Sequence, residues 1–117
     1  MAKTTRLNKS AALEALTERL EFGRRLQARP LADPMAIAEA MVDRLEWQAT
    51  VMQLLPRIAK GIEAVTDFNR PIAAGPFMLE VPPDVEAMYF RRGLGQQLES
   101  LERALARVRK LGTRQLV

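Results

Sequence analysis

The chain of 117 residues contains no cysteine and no histidine. Without cysteine it can form neither a disulfide nor a thiol nucleophile. Without histidine it lacks the commonest general base and the commonest protein metal ligand, so zinc sites built from cysteine and histidine are excluded. We therefore expect a protein that is not an enzyme and that needs no cofactor.

Long uninterrupted apolar runs are also missing from the sequence. No stretch reaches the ~20 residues that a membrane-spanning helix needs, and the basic N-terminal region lacks the apolar core of a secretory signal. These absences predict a cytoplasmic protein with no transmembrane segment. Hydrophobic residues make up 48% of the chain and charged residues 27%. This balance is ordinary for a globular protein, and we expect residues 1–117 to form a single helical domain.

The net charge of +4 is unevenly distributed along the chain. Residues 1–33 carry a net charge of +3, residues 34–83 carry −2, and residues 84–117 carry +3. Basic ends of this kind could attract nucleic acid, or they could meet the acidic middle of another copy in an oligomer.

Helix start and stop signals predict an all-α fold, a small bundle of three to four helices. Asn8 or Ser10 is a suitable N-cap for the first helix, and Pro30 ends it. Asp33 followed by Pro34 begins the second helix. Proline breaks or kinks the chain after this helix, at position 56. The expected helical ranges are 8–29, 34–55, 57–68 and a last helix from 83 to about 111, while residues 1–8 and 113–117 are expected to fray.

Gly23 lies inside the first predicted helix, where glycine costs ~1 kcal/mol of helix propensity. We therefore expect another element to pack closely against it. The helix over 34–55 is apolar on two faces, one with Met41 and Leu45 and the other with Trp47 and Val51. A helix of this kind is buried from two sides, so it is either the centre of the bundle or part of a subunit interface, and we expect the central position. Trp47 and Val51 are candidates for a dimer or partner interface, and burial of Trp47 in the core is the alternative.

The last helix carries leucines at spacings of four, three and four, which is the pattern of a coiled coil. We call Leu94, Leu98, Leu101 and Leu105 the leucine seam. Because such a seam pairs helices, the sequence predicts a homodimer.

The segment over 69–83, NRPIAAGPFMLEVPP, is rich in proline and also apolar. Its four prolines predict an extended connection rather than a helix. Exposed Phe77 and Leu79 would form an adhesive patch, so we expect either the chain's own bundle or another chain to cover them.

Basic residues of the C-terminal half suggest a second kind of surface. The segment RRGLG over 91–95 begins with Arg91 and Arg92, and its backbone could form a nest for phosphate. Alternatively, its two glycines mark a helix break or close packing. The last helix carries a basic stripe that could lie on phosphates, although charged stripes are more often solvated. This basic stripe consists of Arg103, Arg107, Lys110 and Arg114.

Acidic residues repeat at helical spacing on the first two predicted helices. Carboxylates spaced in this way can hold magnesium, although such faces are usually solvated. The two sets are Glu14, Glu18 and Glu21, and Glu39, Asp43 and Glu46. Methionines could line a pliable partner groove or fill the core, namely Met35, Met41, Met52, Met78 and Met88.

The sequence favours a non-enzymatic adaptor or accessory protein that forms a helical homodimer and binds an unidentified protein. The alternative hypothesis is a nucleic-acid-binding accessory protein that uses the basic C-terminal helix. A third hypothesis is a magnesium-dependent all-α phosphohydrolase.

Overall fold

A computed structural model describes residues 6–73 and 82–111, and every regular element in these two ranges is helical. The fold is therefore the small all-α bundle that the sequence predicts. Its four α-helices are α1 (Lys9–Gln27), α2 (Pro34–Leu54), α3 (Gly61–Ala73) and α4 (Pro83–Lys110), and a 3-10 turn (Leu55–Arg57) follows α2.

The predicted starts of α1 and α2 are confirmed at the level of single hydrogen bonds. The side chain of Asn8 accepts a hydrogen bond from the N–H of Ala11 at 2.8 Å, so Asn8 rather than Ser10 is the N-cap of α1. The side chain of Asp33 accepts one from the N–H of Ala36 at 2.8 Å. Each side-chain oxygen satisfies a backbone donor that the first turn of a helix leaves free.

The third helix begins later than the sequence predicts. After the 3-10 turn, Ile58 is extended and Lys60 has a positive φ of 56°. A left-handed residue cannot continue a right-handed helix, so α3 begins at Gly61 rather than at residue 57.

The third helix also ends later than predicted, because α3 continues through Pro71 to Ala73. The prediction of an extended chain from residue 69 is therefore wrong for 69–73. A proline deprives a helix of one backbone hydrogen bond, and α3 accepts this loss in its last turn. Residues 74–81 of the predicted connection lie outside the described residues.

The central helix is α4, and the prediction that helix 34–55 is central is wrong. The longest helix, α4, packs against α1, α2 and α3, most extensively against α1 and α3. Met41 and Leu45, on the second apolar face of α2, are exposed to solvent, so no neighbouring helix of the described bundle covers this part of α2. The side chains that α4 buries are Ala87, Phe90, Leu94, Gln97, Leu98, Ser100, Leu101, Ala104, Leu105 and Val108.

Residues 1–8 are predicted to fray, and within this segment Leu7 contacts the bundle. The N–H of Leu7 donates to the carbonyl of Arg57 at 2.8 Å, and the Leu7 side chain packs against the core. Nearby, the Lys9 ammonium donates to the carbonyl of Leu111 at 2.7 Å. Residues 1–5 and 112–117 lie outside the described residues.

Candidate interaction surface

Large apolar side chains are exposed together on one side of α2. Met35 and Leu45 are 70% and 64% exposed, and Met41 and Val42 are also exposed. With 3.6 residues per turn, these four positions and Ala38 fall within about 120° of the helix circumference. We call Met35, Ala38, Met41, Val42 and Leu45 the α2 face.

The α2 face contains no charged residue. Further along α2, the same side of the helix continues with the exposed Ala49 and the half-buried Met52, which are also apolar. Single exposed apolar side chains are normal on protein surfaces, whereas contiguous ones mark interaction sites. The α2 face is contiguous, so it is a candidate interaction surface.

An acidic edge borders the α2 face on the side of α1. We use this name for Glu39 and Glu46, which are both exposed and stand two helical turns apart. Asp43 lies further round the helix, where its carboxylate accepts a hydrogen bond from the Arg29 guanidinium at 2.5 Å. This ion pair ties α2 to the end of α1, so the acidic edge is held at a fixed position.

The opposite edge of the α2 face meets α4 through side-chain amides and a guanidinium. The Nε2 of Gln97 donates to Oε1 of Gln48 at 3.0 Å, and Oε1 of Gln97 accepts from Nε of Arg44 at 3.0 Å. Gln97 is fully buried, so its satisfied amide avoids the cost of a buried polar group without a partner. The three side chains fix α2 against α4.

Arg44 lies against α4 and does not extend over the α2 face. Its guanidinium carbon is 5.5 Å from the centre of the Phe90 ring, a cation–π distance. A Cβ at Gly93 would lie only 2.9 Å from Nη2 of Arg44, so glycine makes room for this packing. Burial lowers the pKa of Arg44 from its ordinary value. The ordinary value is so high that the side chain stays charged at neutral pH.

The leucine seam is covered by the chain's own helices. All four of its residues are buried in the core, so they present no exposed surface to a second copy. Leucines at this spacing suit pairing with another chain and packing inside one bundle equally well. The homodimer stays a prediction, but the leucine seam no longer supports it.

Trp47 and Val51 are also buried in the core rather than exposed at an interface. The indole Nε1 of Trp47 donates to the carbonyl of Arg19 at 2.9 Å, and its ring packs edge-on against Phe68. Burial of Trp47 in the core was the alternative that the sequence allowed. The remaining predicted interface residues, Phe77 and Leu79, lie outside the described residues.

The residues of the predicted nucleic-acid surface do not form one open basic stripe. Arg103 makes two hydrogen bonds to the Asp67 carboxylate, at 2.9 and 3.0 Å. Arg107 is half-buried, and its buried Nε and Nη2 have no hydrogen-bond partner in the part of the chain that the structure describes. Lys110 is exposed, and Arg114 lies outside the described residues.

The predicted phosphate nest of RRGLG is not formed. Gly93 and Gly95 lie inside the continuous helix α4, and no glycine in the described ranges has a positive φ. The alternative of close packing is confirmed, because Gly93 accommodates Arg44 and Gly95 accommodates Gln27. Arg91 and Arg92 are both exposed, and Nη2 of Arg91 donates weakly to the carbonyl of Arg29 at 3.4 Å.

The acidic residues give no metal site in the described part of the chain. Across residues 6–73 and 82–111, no three carboxylates come close enough together to hold a metal ion. The methionines divide between surface and core. Met35, Met41 and Met88 are exposed, Met52 packs against the core, and Met78 lies outside the described residues.

Val42 and Leu45 are the surface residues that sequence reasoning did not select. Their signal was present, because the outer side of α2 carries apolar residues with no charge among them. A second apolar face on a helix predicts burial, and the sequence does not show that the bundle leaves this one uncovered.

The chain matches no known family model, no curated protein and no solved structure. Within the described ranges, none of the helices combines the length and apolar character required to cross a bilayer. A functional assignment therefore depends on the surfaces themselves, and among the described helices α2 exposes the most large apolar side chains.

Proposed function

We propose that the protein is a non-enzymatic interaction protein that binds another protein chain through the α2 face. The observation that carries this proposal is the exposure of Met35, Met41, Val42 and Leu45 on one side of a helix whose other side is anchored in the core. Burial of apolar surface is the dominant favourable term in most protein association. A partner that covers these side chains would be stabilised by the burial of their apolar surface.

The bundle presents the α2 face on a well-supported helix. The inner side of α2 buries Ala40, Trp47 and Val51. Its flanks are joined to the connection after α1 by the Arg29–Asp43 ion pair and to α4 by the Arg44–Gln97 hydrogen bond. A surface that is already ordered loses little conformational entropy when a partner binds.

Two kinds of chain can cover the α2 face, a second copy or a different protein. The homodimer expected from the sequence is the first of these. Sedimentation velocity at micromolar concentrations separates them, because a self-associating protein sediments faster as its concentration rises.

Site-specific photo-crosslinking in the cells that produce the protein tests the proposal directly. A photo-reactive residue replaces Val42 in one variant and Ile62 in a matched control. Ile62 is also apolar and is 86% exposed, but it lies on α3. We expect a discrete protein adduct from position 42, its loss when Leu45→Glu is added, and no such adduct from position 62.

The crosslinking experiment also has an outcome that rejects the proposal. If position 42 gives no adduct, or if positions 42 and 62 give the same adducts, the α2 face is not a specific docking surface. The mass of a specific adduct distinguishes a second copy from another protein.

A further inference from the structure

We infer that the α2 face takes an amphipathic helix of a different protein, with two lysine or arginine side chains seven residues apart on one side of its apolar stripe. This inference rests on the proposed function and specifies its partner.

The form of the α2 face favours a helical partner. From Met35 to Leu45 the face runs for about 15 Å along one helix. All described regular elements are helical, so this part of the chain offers no sheet edge to which an extended peptide could add. An apolar stripe with anchors at i, i+3 and i+7 packs along such a helix as one helix packs on another.

The acidic edge determines the charge of the partner. Glu39 and Glu46 are exposed and form no ion pair in the described part of the chain, in contrast to Asp43, which pairs with Arg29. Seven residues of helix span about 10 Å. Two cationic side chains at the same spacing on a partner helix would face both carboxylates, as flanking charges do in paired helices.

The opposite edge of the α2 face determines on which side the cations lie. Gln48 is uncharged and accepts a hydrogen bond from Gln97, and Arg44 is directed to α4. Cations are therefore favoured on one side of the partner's apolar stripe only. One-sided charge complementarity fixes the direction in which the partner helix runs.

Electrostatic repulsion disfavours a second copy of the chain packed antiparallel on the α2 face. A copy of α2 carries the same acidic edge, and an antiparallel two-fold pair would bring Glu39 of one chain near Glu46 of the other. Like charges across an interface disfavour a partner. The only basic residue of α2, Arg44, is held against α4 and cannot compensate for this repulsion. The same acidic edge repels phosphate groups.

A pair of synthetic helical peptides tests the inference on the intact chain of 117 residues. Both peptides have about 18 residues and the same leucine stripe, and they carry either two lysines or two glutamates seven residues apart on one flank. Fluorescence anisotropy of the labelled peptides gives their dissociation constants. We expect the lysine peptide to bind roughly tenfold more tightly at low salt. This difference should become small near 1 M salt, where the screening length is about 3 Å.

The protein's net charge of +4 makes this comparison stringent, because it opposes the binding of any cationic peptide. Any tighter binding of the lysine peptide must therefore come from negative charges close to the α2 face. The double variant Glu39→Lys/Glu46→Lys should reverse the preference. The matched control Glu14→Lys/Glu21→Lys changes two exposed carboxylates that are also seven residues apart, but on α1. It should leave the preference unchanged.

Leu45→Glu should weaken the binding of both peptides at least tenfold. If the two peptides bind equally and Leu45→Glu removes both, the α2 face is a docking surface but the inference of a basic partner is overturned. If neither peptide binds, or if Leu45→Glu has no effect, the inference is also overturned. The proposed function is then judged by the photo-crosslinking at position 42, which does not depend on the peptides.

Discussion

The indole ring of Trp47 lies directly against Gly23, so that a Cβ at this glycine would be 2.8 Å from Cζ2 of the ring. The ring nitrogen donates to the carbonyl of Arg19, one turn earlier in α1. The centre of the ring is 5.5 Å from that of Phe68 on α3. Trp47 therefore joins three helices, and Gly23 allows α1 and α2 to approach closely enough for these contacts.

Gly23→Ala should destabilise the protein although alanine is the better helix former. Alanine would gain about 1 kcal/mol of helix propensity. Its methyl group would, however, overlap Trp47 and a methyl of Leu98, and overpacking of this kind costs about 1–3 kcal/mol. We expect a net loss of about 1 kcal/mol in the free energy of unfolding, measured by urea denaturation.

The matched control for this prediction is Gly95→Ala on α4. There a Cβ would meet only Nε2 of Gln27, at the end of a flexible side chain that can move away. We expect this variant to be as stable as the wild type or slightly more stable. Equal stabilisation by both alanines would show that Trp47 does not confine position 23.

Local rules were sufficient for the starts of the first two helices and for the close packing at Gly23. The Asn8 and Asp33 caps follow from which side chains can accept the free N–H groups of a first turn. An interior glycine indicates a close neighbour because little else compensates for its propensity cost. The caps depend on a few adjacent residues, although the sequence left Asn8 and Ser10 as alternatives; the glycine indicated a close neighbour without identifying Trp47 and Leu98.

The sequence did not determine which apolar face meets which partner. Periodicity showed two apolar faces on α2 and a leucine seam on α4, but it cannot show that α4 is enclosed while one face of α2 is left at the surface. The same limit explains the candidate site. Leu45 and Trp47 are two residues apart and both apolar, yet one is 64% exposed and the other is buried.

The bounds of α3 could not be predicted because they depend on two unusual residues. Lysine has no preference for the left-handed region that Lys60 adopts, so residue type gave no stop signal there. Pro71 is a strong stop signal, and α3 nevertheless includes it. Residue type alone therefore gave neither bound of this helix.

Asp67→Asn should destabilise the protein at neutral pH but not in acid. Two hydrogen bonds from Arg103 hold the pKa of Asp67 below its ordinary value. The folded protein therefore binds this proton less readily than the unfolded chain. The resulting stabilisation is fully present above the ordinary Asp pKa of ~3.9 and is lost as the pH falls through the lower folded-state pKa.

We expect Asp67→Asn to lower the free energy of unfolding by about 1 kcal/mol at neutral pH, since Arg103 is half exposed and solvent weakens the pair. This loss should shrink as the pH falls below the ordinary Asp pKa of ~3.9. Urea denaturation at several pH values measures it, and Glu63→Gln on the same helix serves as a control. A loss that stays constant down to the acid limit would contradict the assigned pKa direction.

Lys60→Gly should stabilise the protein. The positive φ of Lys60 costs a residue with a side chain about 1–2 kcal/mol, whereas glycine adopts this conformation freely. Glycine also makes the unfolded chain more flexible, so the expected gain is about 0.5–1 kcal/mol. Thermal unfolding measures it. Lys60→Ala keeps the strain and should give no gain; if it matches the glycine variant, backbone strain is not the cause.

Leu101→Ala distinguishes a leucine seam in the core from one in a dimer interface. Leu101 is completely buried within its own chain, so its truncation should lower the free energy of unfolding by about 2–5 kcal/mol. Leu45→Ala, on the exposed α2 face, should change it by less than about 1 kcal/mol.

Urea denaturation at two protein concentrations tenfold apart completes this comparison. If Leu101 belongs to the core of one chain, the loss caused by Leu101→Ala should be the same at both concentrations. A subunit interface would instead make stability depend on protein concentration, because dissociation and unfolding are then linked. Suppose that Leu101→Ala and the wild type unfold at the same urea midpoint at low protein concentration and differ only at high concentration. The leucine seam would then lie between chains, and its assignment to the core of one chain would be overturned.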